Sequence, residues 1–356
     1  MAERRAGRVT IRDIAERAGV SKVAVSYALN GRPGVSAETR ERIVGIAREL
    51  GWYPNRAARA LSAARADACG LVLARPANTL ALEPFYMEFI AGAESELSSR
   101  AMALTIQLVR DVAEELEVYR RWWGEHRVDG VLMVDLRVDD PRIEELARLG
   151  LPTVVVGGPV PGGVLPAVWH DEAFVVVEAV RYLAALGHER IAQVAGVEEF
   201  VHTQQRTGAF RRAMEDLGLQ PETVTTDYTP ESGAIATRRL LSAPDPPTAI
   251  IFDSDLLAVT GLGVAQQMGF AVPGDLSIVG WDDSLISQVV HPPLTAITRD
   301  IAAYGIHATR HLLDVVDEEA TGDRETARGA LTPRGSTGRP RSAASGRAGA
   351  ARRRRR

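Results

Sequence analysis

Residues 10–51 read as three short helices, none long enough to stand alone, so this stretch must fold as a small cluster sharing one core. Thr10 precedes IRDIAERA, where Ile11, Ile14, Ala15 and Ala18 recur at helical spacing, Asp13 sits in the first turn and Gly19 ends the run. Ser21 caps a second helix reaching about Asn30. At 100° per residue, Lys22, Val23, Ser26, Tyr27 and Asn30 fall within an arc of about 140°, and Ala24, Val25, Ala28 and Leu29 fill the opposite side. The apolar arc belongs to the core. The other arc offers one cation, several hydrogen-bonding groups and one small hydrophobe, the mix that meets base edges and phosphates in a major groove. Ser36 caps a third helix whose Thr39, Ile43, Ile46, Ala47 and Leu50 form an apolar stripe, and Gly51 closes it. Any small helical bundle carries such stripes, so periodicity alone leaves a plain bundle open.

Charge is divided along the chain. Of the 356 residues, 1–66 carry 13 Lys and Arg against 6 Asp and Glu, and 334–356 carry nine Arg and no acid. The stretch between them holds 20 basic and 40 acidic residues, so a net charge of -4 hides an acidic body with basic ends. A basic block on such a body concentrates attraction for phosphates at the N-terminal end, although a solvated charge run would look the same by charge alone. The single cysteine, Cys69, excludes an internal disulfide framework, and MAERRAGRVTIRD has no apolar stretch of signal-peptide type, so a reducing cytoplasm is expected. Residues 150–169 carry no charge, but four prolines and several glycines make them strand and loop, and no membrane partner is expected.

From about Gly70 the chain alternates β-rich runs with helical stretches. CGLVLA, ALTIQLV, DGVLMV, LPTVVVG, RIAQVAG, TAIIFDS and LSIVGWD are the expected strands, and Tyr86 to Arg100, Val175 to Leu186 and Ala209 to Leu217 are amphipathic helices to cover them. The alternation predicts doubly wound α/β layers. There is no GxxxxGK[ST] or GxGxxG phosphate loop, no GxSxG elbow, no HExxH and no Cys/His pair, so neither catalysis nor a cofactor is expected. Asp282 and Asp283, as neighbours in an extended segment, are expected on opposite sides. His170, His188 and His202 lack metal-ligand spacing, so structural roles and no metal are expected.

The run from Val9 to Leu61 resembles the headpiece of the lactose and galactose repressor family, through the turn AGVS, the pattern VSxxxVSxxLN and the tail YPNxxARxL. The resemblance implies that Lys22, Val23 and Tyr27 read bases while Thr10, Ser21, Ser26 and Asn30 hold the DNA backbone. It also implies a hinge helix, in which Asn55, Arg56 and Arg59 approach the groove and Leu61 wedges into the minor groove, against the alternative of a linker helix with Leu61 packed on the body. Ala24 and Tyr27 depart from the family's usual hydroxyl residue and arginine, so no operator sequence carries over.

The resemblance continues to about Thr337 through LAALGHERIAQVAG, QQRTGAF, a strand ending in DSD, VPGDLSIVGWDD, HPPLTAIT and PRGST. The implied fold is an all-α helix-turn-helix headpiece plus an α/β periplasmic-binding-protein-like (type I) effector domain of two doubly wound subdomains. The expected division is a headpiece over 1–54, hinge helix and linker over 55–66, effector and dimerisation domain over 67–337, and a disordered Arg-rich tail over 338–356. In the cleft, Arg206 and Asp282 stand at the family's effector-binding arginine and aspartate, Ser254 replaces a frequent asparagine, and Phe85 and Trp281 are aromatic candidates. A direct Arg206–Asp282 ion pair, and core packing for Phe85 and Trp281, are the plainer readings. Asp171 falls near the family's Asp-Asn element, but Glu172 and Phe174 depart from it. The implied function is a repressor of transcription, a homodimer on operator double-stranded DNA in the cytoplasmic nucleoid, controlled by a small sugar or sugar-like effector. The competing reading is a solute-binding protein with no transcriptional role. The tail lacks a leucine heptad, so a coiled-coil tetramer is not expected.

Overall fold

The computed structural model describes residues 9–52, 65–75 and 83–341. The chain divides into two compact units, Met1–Ala66 and Asp67–Arg356. The first contains α1 (Ile11–Ala18), α2 (Lys22–Leu29) and α3 (Ala37–Glu49) around a core of Ile14, Ala18, Val25, Ala28, Ile43 and Ala47. Each helix end follows from a local group. The Asp13 carboxylate accepts from Thr10 N at 2.7 Å and Thr10 Oγ1 at 2.8 Å, Gly19 takes the left-handed conformation that stops α1, and the hydroxyls of Ser21 and Ser36 accept from Ala24 N and Thr39 N. The loop after α2 is held by Arg40, which donates to Ala28 O at 3.1 Å and Arg32 O at 2.7 Å.

Among the described residues, the second unit contains two six-stranded sheets. The first joins β1 (Ala68–Leu73), β2 (Ala103–Leu108), β3 (Gly130–Met133), β4 (Thr153–Val156), β5 (Ala167–Trp169) and β11 (Arg324–Glu325) in the order β11-β5-β4-β3-β1-β2, all parallel. The second joins β6 (Ile191–Ala195), β7 (Glu222–Thr225), β8 (Ala249–Phe252), β9 (Ser277–Asp282), β10 (Thr295–Thr298) and β12 (Ala330–Thr332) in the order β12-β10-β9-β8-β6-β7, parallel except for β12. Both sheets are buried on two faces, which explains why the central strands read as continuous apolar runs rather than alternating ones.

Helices α4 (Pro84–Ser99), α5 (Val112–Gly124), α6 (Pro141–Leu149) and α12 (Ile301–Val316) cover the first sheet; α7 (Glu172–Ala185), α8 (Val201–Asp216), α9 (Pro230–Leu241) and α10 (Asp255–Gln267) cover the second, with the short α11 (Leu285–Val289) beside them. The chain passes between lobes after β5, after β10 and between β11 and β12. The second passage returns α12 to the first lobe, where it meets α4 backbone to backbone. A Cβ on Gly92 would lie 2.0 Å from Ala302 O, and one on Gly305 would lie 2.3 Å from Phe89 O, so only glycine permits this approach. A further link joins the lobes away from these passages: Val138 N donates to Glu199 O and Val201 N to Leu136 O, both at 2.9 Å.

The seven expected strands are β1 to β4, β6, β8 and β9. The expected helices begin earlier than their apolar patterns, α7 at Glu172 and α8 at Val201. In α8 the reason is that the inward face of the first turns is polar: Thr203 and Arg206 are buried. The expectation of disorder from 338 onward meets ordered structure at 338–341. Gly338 O accepts from His188 Nε2 at 2.9 Å and Arg341 pairs with Asp275 at 2.7 Å. His188 thus has the structural role expected of it, with Thr248 Oγ1 on its other nitrogen.

Candidate functional site

On α2, Lys22 and Tyr27 are exposed, as is Val23 at 60%. Tyr27 lies over the loop: a Cβ on Gly34 would be 3.3 Å from its ring, and Gly34 has φ +109. Thr10, Ser21 and Asn30 are exposed at helix ends, and Ser26, half-buried, accepts from Asn30 Nδ2 at 3.4 Å. Lys22, Val23, Ser26 and Tyr27 thus lie on α2 between its capping residues Ser21 and Asn30, and Thr10 caps α1. The hinge candidates Asn55, Arg56, Arg59 and Leu61 lie outside the described residues, as do residues 342–356 of the tail.

The second unit has a cleft whose wall is built at the carboxyl ends of parallel strands from both lobes. Arg75 follows β1, Asp135 follows β3, Gly157 follows β4 and His170 follows β5; from the other lobe come Asp253 and Ser254 after β8, Asp282 at the end of β9 and Arg299 after β10. Side chains at these strand ends converge because every strand of a parallel sheet delivers its next residue to the same edge. Three of the residues, Asp135, Tyr228 and Asp282, have φ of 54, 66 and 85, and Tyr228 can approach only because its neighbour is Gly196, whose Cβ would fall 1.9 Å from the ring.

Charges in the cleft are paired. Arg75 Nε meets Asp135 Oδ2 at 2.9 Å, and Tyr86 Oη donates to the same oxygen at 2.7 Å. Burial pushes Asp135 up, but Arg75 and these hydrogen bonds outweigh it and hold the carboxyl well below the usual range. Glu172 takes Arg206 Nε at 2.7 Å on one oxygen, and Arg299 Nη1 at 3.0 Å with His170 Nε2 at 2.8 Å on the other. It too is buried and yet held well below its ordinary value by these partners. Arg299 also reaches Asp282, with Nε at 2.8 Å. His202, hydrogen-bonded to Tyr228 at 3.0 Å, is lowered to about 3 by burial and by Arg206, so it is neutral at neutral pH.

Phe85, Arg206, Ser254 and Asp282 thus lie together in the cleft wall. The direct Arg206–Asp282 pair is replaced by a chain of contacts, Arg206–Glu172–Arg299–Asp282, in which Glu172 lies between the two arginines. Trp281 corrects the expectation of an effector contact: it is fully buried in the core of the second lobe, and Arg206 Cζ stacks 3.9 Å above its ring, so it supports the arginine from behind. Phe85 lines the cleft and also packs on Phe89, combining both readings. Asp282 and Asp283 do diverge, the first to Arg299 and the second to Arg334 and Thr298, but through left-handed backbone and not through an extended strand. Asp171 caps α7 by accepting from Phe174 N at 3.1 Å. Among the described residues no cluster of His, Cys, Asp or Glu could hold a metal ion, and no helix is long and apolar enough to cross a membrane. Sequence reasoning missed Arg75, Glu83, Asp135, Glu172, Asp253 and Arg299; the signal that finds most of them is a polar residue directly after a β-run.

Comparison with known proteins places these two sites in a common frame. Residues 10–55 match the family described as bacterial regulatory proteins, lacI family, and residues 180–337 match a periplasmic binding protein-like domain. The chain is 35% identical over 319 residues to the HTH-type transcriptional regulator CelR of Thermobifida fusca, covering 88% of this chain and 94% of that relative. Among solved structures it is similar to a CelR–cellobiose complex (TM-score 0.71, 32% identity, 92% and 100% covered) and to the lac repressor dimer bound to operator and the anti-inducer ONPF (TM-score 0.82, 26% identity, 93% and 100% covered). Helix-turn-helix and two-lobed cleft together define a DNA-binding regulator of transcription rather than an enzyme. The chain belongs to the lacI family of bacterial regulatory proteins.

Proposed function

We propose that the cleft takes a neutral polyhydroxylated effector, a sugar or sugar-like metabolite, and that its occupancy sets the affinity of a homodimeric repressor for a roughly palindromic operator. One observation carries the choice of ligand: each of Arg75, Arg206 and Arg299 is already paired with a carboxylate, so the wall offers hydrogen-bonding groups with little uncompensated positive charge. Aromatic side chains Phe85, Tyr86, Tyr228 and Tyr304 add apolar faces, the other half of a carbohydrate site. The cellobiose complex of a relative agrees with this reading.

At the DNA, Lys22 donates to guanine, Val23 meets a thymine methyl and Tyr27 hydrogen-bonds a base edge, while Thr10, Ser21, Ser26 and Asn30 hold phosphates. Two headpieces occupy major grooves about one helical turn apart, with Asn55, Arg56, Arg59 and Leu61 contributing at the minor groove between them. The homodimer is supported by the dimeric lac repressor relative and by exposed apolar side chains on both lobes, Met87, Ile106 and Leu108 on one and Leu285 and Val289 on the other. The working place of such a protein is the cytoplasmic nucleoid.

The test selects binding sites from random duplex DNA with the full chain and with variants. Lys22→Ala is expected to relax one position of each half-site, at a cost of about 1–3 kcal/mol for the original base, and Ser21→Ala to weaken all sites alike. Selection of the same sharply defined site by Lys22→Ala would remove that residue from the base-reading set.

A further inference from the structure

Glu83 stands immediately before α4, in the wall of the cleft beside Ser254 of the other lobe. Five carboxylates line this cleft, and four are held by close donors of the wall: Asp135 by Arg75 and Tyr86, Glu172 by Arg206 and Arg299, Asp282 by Arg299, and Asp253 by Gln193 Nε2 at 2.9 Å and Gly196 N at 3.3 Å. Glu83 differs: Ser254 is the side-chain hydrogen-bond partner of its carboxylate, but its Oε1 is buried and meets no donor. A carboxylate oxygen shut away from water without a donor is costly, and native structures keep such atoms where something else completes them. In the wall of a ligand cleft that completion is a donor on the ligand.

We propose that Glu83 is a specificity-determining residue, whose Oε1 accepts a hydrogen bond from a hydroxyl of a neutral saccharide and whose charge rejects sugar acids. The inference rests on the effector-cleft reading and adds to it which ligands the cleft admits. The charged surroundings agree. The cation that acts on Glu83, Arg75, is committed to Asp135; Asp282 acts on it from the second lobe; and Glu172, Asp253, Arg206, Arg299, His170 and His202 are the other charged or titratable groups of the wall. A carboxylated ligand would therefore add a sixth negative group against three guanidiniums that are already engaged.

The same environment makes the selection depend on pH. Burial raises Glu83 to about 7, with Arg75 and Ser254 opposing the rise and Asp282 and Asp135 adding to it. A hydroxyl donor stabilises the ionised form, so affinity for a neutral sugar increases as pH rises through about 7. A ligand carboxylate would need Glu83 protonated and would show the opposite slope.

Calorimetric titration of the full chain at pH 6 and pH 8, with cellobiose, maltose and glucose against cellobionate and glucuronate, tests this in wild type, Glu83→Gln and Arg206→Ala. Operator binding without ligand serves as the check that each variant is folded. At least one neutral probe is expected to bind wild type more tightly at pH 8, and Glu83→Gln to bind that probe about tenfold more weakly at pH 8 with the slope gone. Unchanged affinity and slope in Glu83→Gln, with binding abolished by Arg206→Ala, overturns the role of Glu83 and leaves the cleft reading standing. Wild-type preference for a sugar acid over its neutral counterpart also overturns it. Neutral binding that survives both substitutions, or no neutral binding at all, overturns the assignment together with the saccharide reading of the cleft.

Discussion

A single carboxylate organises the charge of the cleft. Glu172 is buried, a setting that alone favours a neutral acid, yet two guanidiniums and His170 converge on it from after β10, from α8 and from the end of β5. Their combined attraction exceeds the desolvation, so Glu172 is ionised in the folded protein at a pH where an unfolded glutamate begins to protonate. The folded value lies below the unfolded one, so the stabilisation is fully present above about pH 4.3 and is lost as pH falls through the folded value. Glu172→Gln keeps the shape and one accepting oxygen but removes the charge, leaving the buried Arg206 without its carboxylate partner and Arg299 with Asp282 alone as its counter-charge. A loss of about 3 kcal/mol in urea unfolding at pH 7 is expected, with the gap to wild type narrowing below about pH 4. A gap of the same size at every pH would mean that packing, and not the charge of Glu172, supplies the stability.

Between elements, the antiparallel bridge of residues 136–138 with 199–201 ties the lobes together across the cleft, at a distance in sequence from the three chain passages. Val201 is the first residue of α8, a position whose N–H is free of the helix and where proline fits; Phe200 before it has φ -81 and ψ 134, the extended conformation a following proline requires. Val201→Pro should therefore delete the bond to Leu136 O and spare the helix. We expect an unchanged far-ultraviolet spectrum and ligand affinity lower by several-fold, because a ligand that touches both lobes must then hold them without this tie. Equal affinity would show that the bridge does not favour the ligand-binding arrangement. Such long-range contacts were illegible in the chain, whereas the helices of the first unit were read nearly to the residue, since Thr10, Gly19, Ser21 and Ser36 mark their own helix ends. The strands that were read are continuous apolar runs, buried in β1, β3, β4, β6, β8 and nearly all of β9 and half-exposed only in the edge strand β2; β5 is three residues long and β7, ETVT, is a polar edge, so neither produced a pattern. In the cleft, Arg206 and Asp282 sit within motifs, but Arg75, Asp135 and Arg299 are single polar residues after strands. Their meaning depends on the sheet that brings those ends together.

At the scale of the molecule, the three-helix headpiece and the two-lobed cleft belong to separate compact units of one chain. The cleft wall draws residues from both lobes, so a ligand bound there has a different free energy for each lobe arrangement and shifts their populations by that difference alone. If DNA affinity responds to the same populations, thermodynamics fixes a second result: the operator must change ligand affinity by the factor by which ligand changes operator affinity. Couplings of this type span about 5- to 150-fold, and their sign distinguishes release by an inducer from tightening by a corepressor. The measurement takes a neutral sugar that binds the cleft and titrates operator with the cleft empty and saturated, then titrates sugar with and without saturating operator, all at one salt concentration, because phosphate contacts make the DNA term strongly salt-dependent. The two factors are expected to agree within error and to differ from one. Glu172→Gln, by loosening the wall that both lobes share, should move both factors together toward one. Two factors equal to one in wild type would mean that cleft and headpiece act independently, and that the ligand has some other use than control of DNA binding.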